Sequence, residues 1–307
     1  MVPTFGYGWN TWRPSSNVPV TGDVTEWFRR DDVGMTQSVS TARGDEYLLA
    51  GIGTATELFN LRTVNRDAAF VIPHLRPGMR LVDFGCGAGS LTCGFARLVA
   101  PADVLGFDVS EQAIDRARSL AQQSGVSNVQ FSVSNINALE LPPESFDVAH
   151  FSGVLMHLKD PERALQLAFR SLKSGGILAA REAQKTGDWF SGPCAEAIAL
   201  YDSIVIEVHR ARGGDPFVGK RLAGLAREVG FVRLESTPSY SAALSNVRAT
   251  ATTLLALLKQ PEFRATALDG GLSAERLDRL GEDISSWAES EDSIAAFAEC
   301  TVIGWKP

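Results

Sequence analysis

Short apolar runs and helical stretches alternate along the middle of the chain. Arg80 to Phe84 reads as a short buried strand, followed by a Gly-rich turn and a helical pattern from Ser90 to Val99. Val104 to Phe107 predicts a second strand and Glu111 to Gln123 the next helix, with Ser110 as its cap. Val129 to Val133 and Phe146 to Phe151 are the third and fourth strands. A helix over Pro161 to Leu172 follows, with Pro at its start and Asp160 as cap. Gly175-Gly176 then turns the chain into a fifth strand, Ile177 to Glu182. Strand and helix alternating at this spacing build a parallel sheet with helices on both faces, a doubly wound α/β core.

The flanks depart from that rhythm. The first thirty-odd residues have no sustained period and read as an irregular arm, yet carry Trp9, Trp12 and Trp27, which argues that part of the arm packs on the body. From Tyr47 to Leu75 the pattern is helical, ending at Pro77-Gly78. After the fifth strand, residues 183–216 are mixed, with a helix over Ala195 to Arg210. Gly219 to Val229 is helical, Phe231 to Ser236 a strand, 241–297 largely helical, and Cys300 to Trp305 a last strand. The expected organisation is an N-terminal arm and helical cap over 1–75, then a core over 76–307 with lid insertions at about 186–216 and 241–297.

Candidate chemistry lies at the carboxyl ends of the strands, where open α/β sheets bind ligands. The first strand runs into Asp83-Phe84-Gly85-Cys86-Gly87-Ala88-Gly89-Ser90. Glycines there let a ligand approach the backbone and expose amides at a helix N-terminus. Their positions, 85, 87 and 89, differ from the Gly-x-Gly-x-x-Gly of dinucleotide loops. Asp108 and Val109 end the second strand, and an acidic side chain there can accept hydrogen bonds from both hydroxyls of a ribose. Asn135 and Ile136 follow the third strand; the bland alternative for Asn135 is an Asx turn. Phe151 and Ser152 end the fourth, with their backbone expected to face the ligand.

These four segments, with Leu172 to Gly176 as a fifth, resemble in this order the motifs of class I S-adenosylmethionine-dependent methyltransferases. They are closest to the ubiquinone/menaquinone-type small-molecule group, over residues 62–236. Leu172-Lys173-Ser174-Gly175-Gly176 resembles that group's Lys-Pro-Gly-Gly turn, and Ala180-Arg181-Glu182 matches its fifth strand. Departures fall at Phe59, where relatives often have His, and at Ser152-Gly153, where they often have His-Gln.

The resemblance implies a Rossmann-like seven-stranded sheet and S-adenosyl-L-methionine as cofactor. Asp83, Gly85, Cys86, Gly87 and Gly89 would hold its methionine part, Asp108 and Val109 its ribose, and Asn135 and Ile136 its adenine, with Phe151 and Ser152 alongside. It also implies in-line methyl transfer to carbon, nitrogen or oxygen of a small acceptor, in secondary metabolism. Indoles, quinones, phenols and alkaloid precursors all fit. His157, on the first turn after the fourth strand, is the candidate base, with a packed histidine as the equal alternative. His150 is expected to be a core residue and His74 structural; His209 could line the pocket, with an exposed helix position as the favoured expectation. Tyr7, Trp9, Trp189, Tyr201 and Tyr240 sit in the expected lid. An enzyme that binds the cofactor without methylating, such as a pericyclic catalyst, stands as an alternative. An NAD(P)-dependent oxidoreductase is disfavoured by the glycine spacing and Asp83.

Composition narrows the partners. A net charge of −7 argues against phosphate-backbone recognition, so no nucleic-acid partner is expected. No apolar run is long enough to cross a bilayer and the N-terminus does not read as a secretory signal, so no membrane partner is expected. Cys86, Cys93, Cys194 and Cys300 are scattered without metal-ligand spacing, which points to reduced thiols, no metal and a cytoplasmic setting. A monomer or homodimer is expected.

Overall fold

Strands that are apolar on both sides can satisfy themselves only between two layers of helix. Such strands occupy the centre of the sheet in the computed structural model, which describes residues 62–241 and 246–307. In chain order the core elements are β1 (Leu81–Phe84), α1 (Ser90–Val99), β2 (Val104–Asp108), α2 (Glu111–Gln123), β3 (Val129–Val133), β4 (Phe146–Ser152), α3 (Pro161–Ser171) and β5 (Leu172–Ala183). There follow β6 (Trp189–Ser191), α4 (Ala195–Ala211), α5 (Leu222–Val229), β7 (Val232–Tyr240), α6 (Val247–Leu258), α7 (Pro261–Asp269), α8 (Ala274–Glu289), β8 (Ile294–Ala296) and β9 (Ala298–Trp305). The sheet order is β3-β2-β1-β4-β5-β9-β7. All neighbours are parallel except β9, which runs antiparallel to both β5 and β7. The strand order reverses between β1 and β4, so a crevice opens there at the carboxyl ends.

Local signals explain most boundaries. The Ser110 hydroxyl accepts from the Ala113 amide at 3.2 Å, and the Asp160 carboxylate from Arg163 at 3.0 Å, capping α2 and α3 as their sequences predict. The expected helix over Tyr47 to Leu75 differs. Residues 47–61, with Phe59 and the tryptophans and Tyr7 of the arm, lie outside the described residues. Over 62–75 there are only a helical turn at Val64–Asp67 and a 3-10 turn at Ile72–His74. Val64, Ala68, Val71 and Leu75 are nonetheless buried at helical spacing. Burial produced the period, while Pro73 supplies no N–H for a continuous ladder. β5 begins at Leu172, earlier than expected, because Leu172 already pairs with Phe146 before the register shifts. β6 and β8 pair with each other and escaped the pattern, since three residues cannot show a period.

Apolar side chains form separate cores. One face of the sheet packs Val82, Phe84, Ala149 and Phe151 against α3 and α5. The other packs Leu81, Val148 and Ala179 against α1 and the 64–75 segment. A further core draws on α4, α6, α7, α8 and β8 and takes nothing from the parallel strands. Trp287 is fully buried in it, and its indole N–H donates to the Ser191 carbonyl at 2.9 Å, tying α8 to β6. Trp287→Ala should therefore destabilise this core by about 3–5 kcal/mol. Amide exchange should accelerate in α4, α6 and α8 while β1, β2 and β4 stay protected. Equal acceleration across the sheet would show that the cores unfold as one.

Candidate functional site

A cavity of about 390 Å³ opens at the switch point between β1 and β4 and extends to α4 and α6, a size that suits a small-molecule site. Its first half is built by the turn after β1. Gly85 sits at φ +68°, and a Cβ there would stand 2.3 Å from Val154 Cγ2, so the turns after β1 and β4 touch. Gly87, at φ +55°, has no atom within 4 Å of the place a Cβ would occupy. That leaves an open cradle against the start of α1, where helix amides lack partners. The Gly87 amide donates to Asp108 Oδ2 at 2.9 Å, and the Ser110 amide to Oδ1 at the same distance. Burial raises the Asp108 carboxyl above its usual range against the pull of those amides. Each oxygen keeps a lone pair for a further donor.

Asp83, Gly85, Cys86, Gly87, Asp108, Val109, Asn135, Ile136, Ser152 and His157 all line this cavity. Gly89 and Phe151 do not. A Cβ on Gly89 would come within 2.8 Å of the Ala117 Cβ and 2.9 Å of Phe131, so this glycine allows α1 to pack on α2 and β3. Phe151 is fully buried, stacked on Phe84 at 4.7 Å between ring centres. Asp83 is turned inward. Its Oδ1 lies 2.7 Å from His150 Nδ1 on β4, and its Oδ2 accepts from the Thr92 hydroxyl of α1 at 2.6 Å. The Asn135 oxygen accepts from the Asn137 amide at 2.9 Å, so the Asx turn weighed from the sequence is present. Burial pushes the Cys86 thiol up, which keeps it protonated.

The turn after β4 is held from β5. Glu182 is buried; its Oε1 accepts from the Val154 and Leu155 amides at 2.9 Å each, and its Oε2 from Met156 at 3.2 Å. Burial outweighs those donors and lifts its pKa to about 7. Beside it, Arg181 contacts the Ser152 hydroxyl at 3.2 Å and Glu299 at 3.3 Å. Across the cavity, Lys185 Nζ reaches Asp188 at 2.8 Å and Asp202 at 2.6 Å.

His157 stacks on His209, ring centres 5.0 Å apart, and burial drives its pKa well below the usual imidazole value. His209 departs from the expected exposed position: it is 5% exposed and lines the cavity, because α4 is covered on that side. Tyr201 also lines the cavity, whereas Trp189 and Tyr240 are exposed and do not. The sequence reading did not single out Glu182, Lys185, Asp188 or Asp202 for the site. Position at the carboxyl end of β5 was the available signal for Glu182, and the 201/205/209 spacing the signal for the face of α4.

A family model described as a methyltransferase domain matches residues 75–203. The Aspergillus luteorubrus protein named "Probable methyltransferase ltbC" is 26% identical over 295 residues, covering 87% of this chain and 99% of its own. The ubiquinone/menaquinone biosynthesis C-methyltransferase UbiE of Vibrio cholerae is 35% identical over 131 residues, covering 42% of this chain and 48% of its own. The chain thus spans about half the length of that relative. Among solved structures, the Haemonchus contortus phosphoethanolamine N-methyltransferase 2 in complex with S-adenosyl-L-methionine superposes with a TM-score of 0.53 at 18% identity, covering 87% of this chain and 61% of its own, a likeness of fold.

The Glu182 shift sets a pH dependence. A carboxyl whose folded pKa is raised binds more protons folded than unfolded, so its contribution to stability falls as pH rises from about 4.5 to about 7. His209, held down to about 4 by burial, acts in the opposite sense over part of that window. The difference between wild type and Glu182→Gln isolates the carboxyl. The melting temperature of wild type relative to that variant should drop between pH 5 and 8; a pH-independent difference would refute the raised pKa.

Proposed function

We propose, from the premise that the chain carries a class I S-adenosylmethionine-dependent methyltransferase domain, that it methylates a small organic acceptor, in the setting of secondary metabolism. The observation that carries this reading is the two-part cavity. One half is a Gly-rich cradle with an open carboxylate; the other is covered by helices that share their own core. A concave cavity lined by α4 and α6 suits a ligand small enough to enter a pocket, whereas a protein or nucleic-acid target needs a longer groove.

The residues present fit the cofactor. The cradle at Gly87 admits main-chain approach, and the Asp108 oxygens suit a ribose diol. Asn135 and Ile136 line the adenine side, and the methionine end falls to the amides of the 85–89 turn. When bound, S-adenosylmethionine supplies a methyl group whose bond to sulfur breaks as the bond to the acceptor forms, the electron pair remaining on a neutral thioether. The protein's task is then orientation and exclusion of water. The insertions enclose the acceptor, and Glu182 fixes the turn that bears His157. A half-buried, neutral His157 holds a lone pair at neutral pH and is the base we assign where the acceptor must lose a proton.

Two measurements test this. Calorimetry should show S-adenosylmethionine binding to wild type and at least a tenfold loss, about 1.4 kcal/mol, in Asp108→Ala. Labelled methyl should pass to at least one member of a panel of indoles, quinones, phenols and amines. Unchanged affinity in the variant removes the ribose role, and a panel without product removes the small-acceptor reading.

A further inference from the structure

α4 turns one face to the cavity at Tyr201, Asp202, Val205 and His209. The polar atoms on this face are not all satisfied. The Tyr201 hydroxyl is buried and has no hydrogen-bond partner, although the residue is only 2% exposed. A buried hydroxyl left in that state costs about 1–3 kcal/mol unless a ligand group completes it. Lys185 engages Asp202 through Oδ1, and Oδ2 makes no hydrogen bond among the described residues. His209 Nδ1 lies 2.8 Å from the Val205 carbonyl, which can only accept, so Nδ1 carries the proton and Nε2 presents a lone pair. That Nε2 is likewise buried without a partner.

The charges around this face are unequal. Lys185 is one cation between two carboxylates, with its ammonium also 4.8 Å from the centre of the Phe297 ring. The cluster therefore carries a formal surplus of one negative charge. Burial pushes the Asp188 carboxyl up to about 6 despite the pull of Lys185, as expected where buried negative charge is in excess. The other cations of the lining do not offset it. Arg181 is paired with Glu299 and Arg212 with Glu262. Arg116 and Lys159 are exposed, and Arg62 lies beside α1 at the cofactor half.

We propose that the acceptor carries a protonated amine, which docks on Asp202 Oδ2 beside the Tyr201 hydroxyl. The His209 lone pair, two turns further along the same helix face, receives a second O–H or N–H of the same molecule. This rests on the small-acceptor reading above and narrows it. Carboxylate- and phosphate-bearing acceptors are disfavoured, because this face offers them a negative surplus and no uncommitted cation.

The test is calorimetry on the full chain loaded with S-adenosylhomocysteine, using probes matched in ring and chain and differing in charge. One set is tryptamine, tryptophol and indole-3-propionate; the other is phenethylamine, 2-phenylethanol and 3-phenylpropionate. The amine should bind at least about tenfold tighter than the alcohol and the acid in one set or both. Asp202→Asn should bring amine and alcohol within about twofold while S-adenosylmethionine affinity holds. Tyr201→Phe should weaken the amine by a smaller factor, and it decides the matter if Asp202→Asn does not fold. Absence of amine binding in both sets, an acid binding as well as its amine, or a preference that survives in Asp202→Asn would each overturn the proposal. Loss of cofactor binding by wild type would instead bring down the methyltransferase reading beneath it.

Discussion

The site depends on one buried carboxylate. Glu182 accepts three successive amides, from Val154, Leu155 and Met156, and so fixes the path of the chain as it leaves β4. Without it those amides would face an apolar interior with no partner. The Gly85 backbone packs against Val154 at a distance no other residue permits, so the turn held by Glu182 in turn limits where the cradle after β1 can lie. Asp108 then fixes the far side of the cradle through Gly87. Three strand ends are thus locked by two carboxylates and one missing Cβ. A third carboxylate, Asp83, ties β1 to β4 and α1 from below.

The cavity lies where cores of different origin meet. The strands supply short turns and backbone groups, whereas α4 and α6 supply long side chains. On the α6 side the lining residues are Thr250, Thr253, Leu254 and Leu257, an i, i+3, i+4, i+7 set that is the inward stripe of an amphipathic helix. On the α4 side the equivalent stripe carries Tyr201, Asp202 and His209, where a purely structural helix would place apolar residues. Polar groups on an inward stripe lower stability unless something completes them. The stripe still shares in packing: Tyr201 stacks on Phe263 of α7 at 4.9 Å between ring centres, and Tyr201 and Val205 belong to the same core as Ile198, Ile204 and Val208.

The division between strand ends and helical lining explains what the sequence disclosed. The strands, the capped helices α2 and α3 and the place of Asp108 in the cavity were legible because each rests on a local signal: a run of buried residues, a Ser or Asp cap, a glycine at positive φ, an acid at a strand end. Gly89 and the Phe151 side chain face neighbouring elements and not the cavity, and a glycine or an aromatic beside a site has the same sequence pattern in either case. The histidine at 209 was misjudged for a related reason. Its ring stacks on His157, fifty-two residues earlier in the chain, which no local window contains. The Lys185–Asp188–Asp202 cluster has the same origin: Asp202 lies on α4, while Lys185 and Asp188 follow β5, and only the tertiary arrangement brings them together.

The two histidines complete the electrostatic argument. Burial is the main cause of the lowered pKa of both rings; a protonated His157 would also meet Arg212, and a protonated His209 both Lys185 and Arg212. Neutral rings leave the negative surplus of Asp188 and Asp202 uncancelled, so the cavity keeps its preference for cations at neutral pH. The same neutrality leaves lone pairs on the imidazoles, which a base or a hydrogen-bond acceptor requires. Greater access of water to the cavity would weaken both at once, since it would restore the ordinary imidazole pKa and screen the acid pair.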